Sequence, residues 1–380
     1  MTERNKDTTG EKIPQLRPSQ LEALLKLAIP NKKKILLVGP PGVGKTSIPR
    51  QVASDLGYKV ITDHPVYGDP TDGKGIPWIN QAEMKADYFP AGNLAKVLSA
   101  TEPTLWLIDD FGQASPSVQA SYMPPLLDRT INGHKIPDYV SVMATTNARS
   151  HRAGVQGLLE PVKSRFDTII GLSVNLDDSC QYFLNLPDGD QYLEDASVEL
   201  VSFLRFKEAE HDSILHNFVP TADLTNSPCP RTWEAVMRWV ALFLEHPQDP
   251  GLELDMISGA VGAPAAAMYI AFQKIKRSLP SLDLLIADPQ RAPIPCNNSS
   301  AMYAICTGLA TRATTDNFGR IYEYSQRLEK HRCNEKHRST GMMEFAVLLM
   351  RDCWRKDRAL LATKAGMDMM SGPIGKMIHG

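Results

Sequence analysis

The sequence predicts an α/β fold in which a parallel five-stranded sheet is followed by a purely helical region, and three observations carry that prediction. The apolar run Ile35 to Val38 leads at once into Gly39-Pro-Pro-Gly-Val-Gly-Lys-Thr46 and then into the helix-like stretch Thr46 to Leu56. Thr104-Leu-Trp-Leu-Ile108 is a second apolar run, as a parallel strand buried on both faces requires, and it stops at two acids, Asp109 and Asp110. Strand-like and helix-like segments alternate through residue 174, after which strand signals cease.

A chain of 380 residues exceeds one ordinary core and implies two or three domains. Residues 1–14 are polar without periodicity and read as a flexible tail. Pro18 to Ala28 spaces Leu21, Leu24, Leu25 and Ala28 at helical intervals, and this helix should pack beside the loop that follows. In that loop Gly39, Gly42 and Gly44 let the backbone turn its N–H groups inward, while the next helix points its positive end at the same place. The pattern Gly39-x-x-x-x-Gly44-Lys45-Thr46 between a strand and a helix is a phosphate-binding loop. Gly39, Pro40, Pro41, Gly42, Val43, Gly44, Lys45, Thr46 and Ser47 are therefore expected to hold ATP. Lys45 is placed to reach the β- and γ-phosphates and the Thr46 hydroxyl to ligate Mg²⁺.

Tyr58 to Thr62 reads as the next strand. The passage from His64 to Trp78 is rich in Gly and Pro and admits two readings: a structured loop that touches a substrate, or turns held by Asp69 and Asp72 with Trp78 covering an edge of the core. The acids after Ile108 sit where open α/β sheets bind ligands, so Asp109 is read as the Mg²⁺ carboxylate and Asp110 as the group that polarises attacking water. Gln119 to Leu127 is amphipathic, and Asn132-Gly133 is a turn. Tyr139 to Asn147 is a fourth strand ending in Asn147, a polar group that parallel geometry would bring beside Asp109. Gly154 to Phe166 leads into a fifth strand, Asp167 to Val174.

Beyond it, Val198 to Phe218, Pro228 to Leu244, Leu254 to Ile275, Ala301 to Phe318, Arg320 to Lys330 and Gly341 to Thr363 carry helical spacing, with residues 280–300 as a proline-rich connector. A net charge of −2 gives no global attraction to nucleic acid or anionic membrane. The N-terminus has no apolar signal core, and the longest apolar run, Ala260 to Phe272, falls short of the roughly 18 residues that cross a bilayer. Six scattered cysteines without an export signal favour reduced thiols, hence a cytoplasmic protein without membrane partners.

Five elements in this order resemble an AAA+ ATPase, and most closely its MoxR-like branch: Gly39 to Thr46, Leu107-Ile-Asp-Asp110, Ala144-Thr-Thr-Asn147, Pro161 to Phe166 and Ser227-Pro-Cys-Pro-Arg231. The resemblance spans roughly residues 15–275. It implies a nucleotide-binding core over residues 15–175, an α-helical lid over 176–280, and a C-terminal helical region over 281–380. It further implies that Asn147 is the sensor-1 residue and Arg231 the sensor-2 residue on the lid. Arg165 would be the arginine finger reaching the neighbouring subunit's site, with Arg149 and Arg152 as rivals. One departure stands out: the family usually ends the third strand in Asp-Glu, whereas this chain has Asp109-Asp110.

The resemblance points to an ATP hydrolase that assembles as a homo-oligomeric ring, a hexamer by preference, and acts as chaperone or activator of a protein partner such as a von Willebrand factor A-type domain protein. Two alternatives are a nucleic-acid motor or loader on the same core and an ATP-gated scaffold with little hydrolysis, for which Asp110 is the best support. Residues 301–380 hold 13 Lys and Arg against 8 Asp and Glu, a surplus dispersed among acids as on a solvated helical face. His331-x-Cys333-x-x-x-His337 with Cys353 offers zinc-like side chains, but the spacing fits no common site.

Overall fold

A computed structural model describes the chain except for residues 1–12, 82–83, 148–156, 220, 222, 278, 280, 333–341 and 380. Most of the tail, the rivals Arg149 and Arg152, and Cys333 and His337 thus lie outside the described residues. The chain resolves into two compact units, one of residues 1–178 with 218–222, the other of 179–217 with 223–380.

In the first unit the strands are β1 (Gln15–Leu16), β2 (Ile35–Val38), β3 (Lys59–Asp63), β4 (Ile76–Asn80), β5 (Lys85–Phe89), β6 (Thr104–Ile108), β7 (Thr130–Ile131), β8 (His134–Lys135), β9 (Val140–Thr146) and β10 (Thr168–Leu172). Its helices are α1 (Pro18–Ala28), α2 (Ser47–Asp55), α3 (Pro70–Lys74), α4 (Gly92–Leu98), α5 (Pro116–Ser121), α6 (Met123–Asp128) and α7 (Glu160–Lys163). The main sheet has six strands in the order β1-β10-β2-β9-β6-β3, all parallel. Five of them are the expected strands. The sixth, β1, is two residues long, too short to show any periodicity.

Alternation along each strand sorts the core into two layers. Leu36, Val38, Trp106 and Ile108 pack with Val97, Phe111 and Tyr122 on one face. Ile35, Leu37, Leu105 and Leu107 pack with Leu21 and Leu25 of α1 and Val52 of α2 on the other. Both faces are covered, so β2, β6 and β9 are buried along their whole length, which explains why their sequences read as continuous runs.

The Gly- and Pro-rich passage is more ordered than a loop. The Asp69 carboxylate accepts the Thr71 N–H at 2.9 Å and caps α3, and the Asp72 carboxylate accepts the Asp69 N–H at 2.9 Å, so both acids hold turns. The Thr71 amide holds the Asp69 carboxyl below its ordinary range. Trp78, by contrast, does not cover the core edge. It lies in the β4–β5 hairpin, 62% exposed, with its ring edge-on to Phe89 at 6.5 Å.

The second unit is helical. From residue 176 onward the chain forms α8 (Leu176–Asn185), α9 (Gln191–Ala209), α10 (Pro230–Glu245), α11 (Pro250–Val261), α12 (Ala263–Arg277), α13 (Leu282–Ala287), α14 (Ser299–Thr311), α15 (Phe318–Lys330), α16 (Met343–Lys356), α17 (Lys364–Ser371) and α18 (Pro373–His379). The expected connector carries one short helix, α13, started by the Ser281 side chain accepting the Asp283 N–H. An aromatic cluster of Phe203, Trp233, Tyr269 and Phe272 binds α9, α10 and α12 together. The thiols of Cys306 and Cys353 are fully buried, and burial pushes both well above the ordinary thiol range.

α14 packs against both α9 and α16, and between those two helices lies a buried ion pair, Arg205 with Asp352, to which Thr307 of α14 adds an oxygen 3.3 Å from Arg205 Nη1. Removing one partner strands the other charge out of water. Asp352→Ala is accordingly expected to cost about 3–5 kcal/mol, whereas replacing both partners by apolar residues of similar volume costs far less. Denaturant unfolding of the two variants checks this, and equal losses would mean that packing, not charge, dominates the position.

Candidate nucleotide site

The strand register assembles the site. Val38 lies opposite Thr146, and Ile108 lies opposite both Ala144 and Asp63. One step further along the parallel strands, the chain ends carrying Gly39, Asp109, Asn147 and His64 therefore meet at the carboxyl edge of the sheet. The Gly39 N–H donates to Thr146 O at 3.2 Å and starts the loop level with β9. Gly42 and Gly44 take φ of 75° and 98°, conformations that L side chains rarely adopt, and so turn the loop around its own hollow.

Lys45, Asp109 and Asn147 are each at most 7% exposed. Lys45 Nζ donates to Pro40 O and to Asn147 Oδ1, both at 2.7 Å. Asn147 Nδ2 donates in turn to Asp110 Oδ1 at 3.3 Å, so a single amide joins the loop lysine to the second acid. The Thr46 hydroxyl stands 2.9 and 3.0 Å from the two oxygens of Asp109, its one proton shared between them. Asp110 turns out of the strand in the left-handed region, φ 53° and ψ 34°, which aims its carboxylate differently from that of Asp109.

These donors suit magnesium. Asp109 and Thr46 present hard oxygens side by side and supply only part of a coordination shell, as an ion that retains waters and takes phosphate oxygens needs. Among the described residues no three His, Cys, Asp or Glu side chains converge on a metal position.

Residues 35–174, from β2 to just past β10, match the profile of the ATPase family associated with various cellular activities (AAA). This segment is an AAA ATPase domain. The chain is accordingly an ATP hydrolase. Among solved structures, it is similar to the Thermotoga maritima RuvB Holliday junction branch migration motor, with 14% identity, 93% of this chain and 83% of that one covered, and a TM-score of 0.31. It is also similar to NtrX from Brucella abortus in complex with ATP, with 11% identity, 95% and 68% covered, and a TM-score of 0.40. No curated protein matches the sequence.

Within the AAA domain three neighbours of the acids escaped the sequence reading. Thr145 is wholly buried; its hydroxyl donates to Asp109 Oδ1 and accepts the Asp110 N–H at 3.2 Å. His64 Nδ1 stands 3.8 Å from Asp109 Oδ2. Asp63, whose backbone oxygen takes the Asp109 N–H at 2.8 Å, has its carboxylate fixed by Trp106 Nε1 and Asn93 Nδ2, each at 2.7 Å. Tyr122 completes that anchor at 3.4 Å, and burial together with the Asp63 charge drives its phenol pKa up. Thr145 and His64 follow Ala144 and Asp63 by one residue, so only the strand register reveals them.

Arg165 lies just past α7, whose start is fixed by buried Gln119 accepting the Leu159 N–H at 3.0 Å. Arg165 is half-buried and donates through Nη1 to Pro161 O, and its buried Nε has no hydrogen-bond partner among the described residues. Arg231 occupies the first turn of α10 in the helical unit, exposed and without an ion pair among the described residues.

Proposed function

We propose that this ATPase is a ring-forming, MoxR-like AAA+ protein that couples ATP hydrolysis to remodelling of a protein partner. The observation that carries the hydrolytic part is the Asn147 amide between Lys45 and Asp110: a side chain that touches both the phosphate-binding lysine and the water-polarising acid is placed to register the γ-phosphate. Gly39 to Ser47 bind the phosphates through backbone amides and Lys45, and Thr46 and Asp109 hold Mg²⁺. A magnesium ion held there would neutralise charge on the transferred phosphoryl group. Asp110 orients the attacking water and accepts its proton.

Arg165 acts in the neighbouring subunit's site, and Arg231 on the helical lid carries loss of the γ-phosphate into movement of the lid. A hexamer, a chaperone or activator role, and a von Willebrand factor A-type partner are what the resemblance to the MoxR-like branch implies.

Supplying an arginine in trans makes each site depend on its neighbour, a contribution of about 10³–10⁵ in rate where such fingers have been isolated. Arg165→Ala and Lys45→Ala proteins are each expected to be inactive alone and to regain phosphate release when mixed, because the arginine of one completes the intact site of the other. Mixtures that stay as inactive as their components under conditions of subunit exchange would refute the trans arrangement.

A further inference from the structure

The least expected geometry at the site is the left-handed backbone of Asp110, an arrangement that costs an L residue energy and persists only where neighbours impose it. One neighbour that imposes it is Thr145. Its position follows from the register, in which Ile108 pairs with Ala144, so that the next residues of the two strands are Asp109 and Thr145. The hydroxyl uses both of its capacities there. Its proton goes to Asp109 Oδ1, and its lone pair receives the Asp110 N–H at 3.2 Å.

We infer that Thr145 is a positioning residue for hydrolysis: its hydroxyl fixes the metal-side carboxylate and the water-side carboxylate relative to each other by bonding the side chain of one and the backbone of the other. This rests on the proposed roles of Asp109 and Asp110. Thr46 reaches Asp109 from the loop and leaves the backbone of Asp110 untouched, while Asn147 reaches the Asp110 side chain. Serine can replace threonine in this arrangement. Valine, of nearly the same shape, loses both bonds at once and leaves the Asp110 N–H without this acceptor.

The test compares Thr145→Val and Thr145→Ser in the full-length protein. Thr145→Val is expected to lower kcat about 10- to 100-fold and to raise the KM for magnesium-bound ATP only as far as metal binding weakens, since the bonds lost orient the acids and do not touch the phosphates. It should also weaken Mn²⁺ binding, followed by electron paramagnetic resonance with a non-hydrolysable ATP analogue, by about tenfold or more, as loss of a bond that orients a metal ligand does. Thr145→Ser should stay close to the parent in both measurements.

Parental kcat and Mn²⁺ affinity in Thr145→Val would overturn the inference, as would equal impairment of the valine and serine proteins. If the valine protein does not fold, Thr145→Ser against Thr145→Ala isolates the same hydroxyl, and equal values in that pair overturn it too. Asp110→Asn serves as the control that separates the two levels. An inactive asparagine variant beside a fully active Thr145→Val removes only the role of Thr145, whereas an active asparagine variant removes the reading of the acids beneath it.

Discussion

Asp110→Asn is expected to leave ATP bound and to lower steady-state phosphate release by about 10²- to 10⁴-fold, the range attributable to a positioned general base. The side chain accepts from Asn147 Nδ2 at 3.3 Å and sits on a turn held by Thr145, so the isosteric amide keeps its place while losing the charge that draws a proton from water. Binding and turnover should therefore separate. A fluorescent ATP analogue reports the first and a coupled phosphate assay the second, and unchanged release would show that another group activates the water. Aspartate at this position, where the family has glutamate, reaches one methylene less far.

Lys45→Ala is expected to act one step earlier. Lys45 is the buried cation of the loop, 2.7 Å from both Pro40 O and Asn147 Oδ1, and its ammonium is the group proposed above to meet the β- and γ-phosphates. Loss of a charge-assisted bond to phosphate is worth about 2–3 kcal/mol, or roughly 30- to 150-fold in Kd for ATP. Turnover should vanish with it, because the same substitution removes one of the partners of Asn147. The fold should survive, since Leu36 and Leu37 beside the loop remain packed in their two layers. Calorimetric titration with Mg²⁺ and ATP tests the affinity, and parental affinity in the alanine protein would mean that the loop amides alone bind the phosphates.

The two substitutions probe residues of different legibility. Lys45, Thr46 and the loop glycines could be read in the sequence because backbone conformation and phosphate chemistry restrict them to a fixed local spacing. The five long strands were legible for a related reason: burial on both faces demands unbroken apolar runs such as Leu105 to Ile108. The two-residue β1 and the β4–β5 hairpin were not. The first is too short for a pattern, and the second exposes Trp78, Ile79 and Phe89, so its composition imitates a core segment.

By itself, then, the sequence determined the α/β class, the phosphate-binding loop, the pair of acids and the switch to helices after residue 174, because each is written in contiguous residues. Only the tertiary structure decided that the hydroxyl of Thr145 lies between Asp109 and Asp110, that His64 stands beside Asp109, and that Asn147 bridges Lys45 to Asp110. Those contacts depend on strand order and register. A slip of one residue between β6 and β9 would reverse which side chains face the site while changing no local propensity, so no local signal could have specified them.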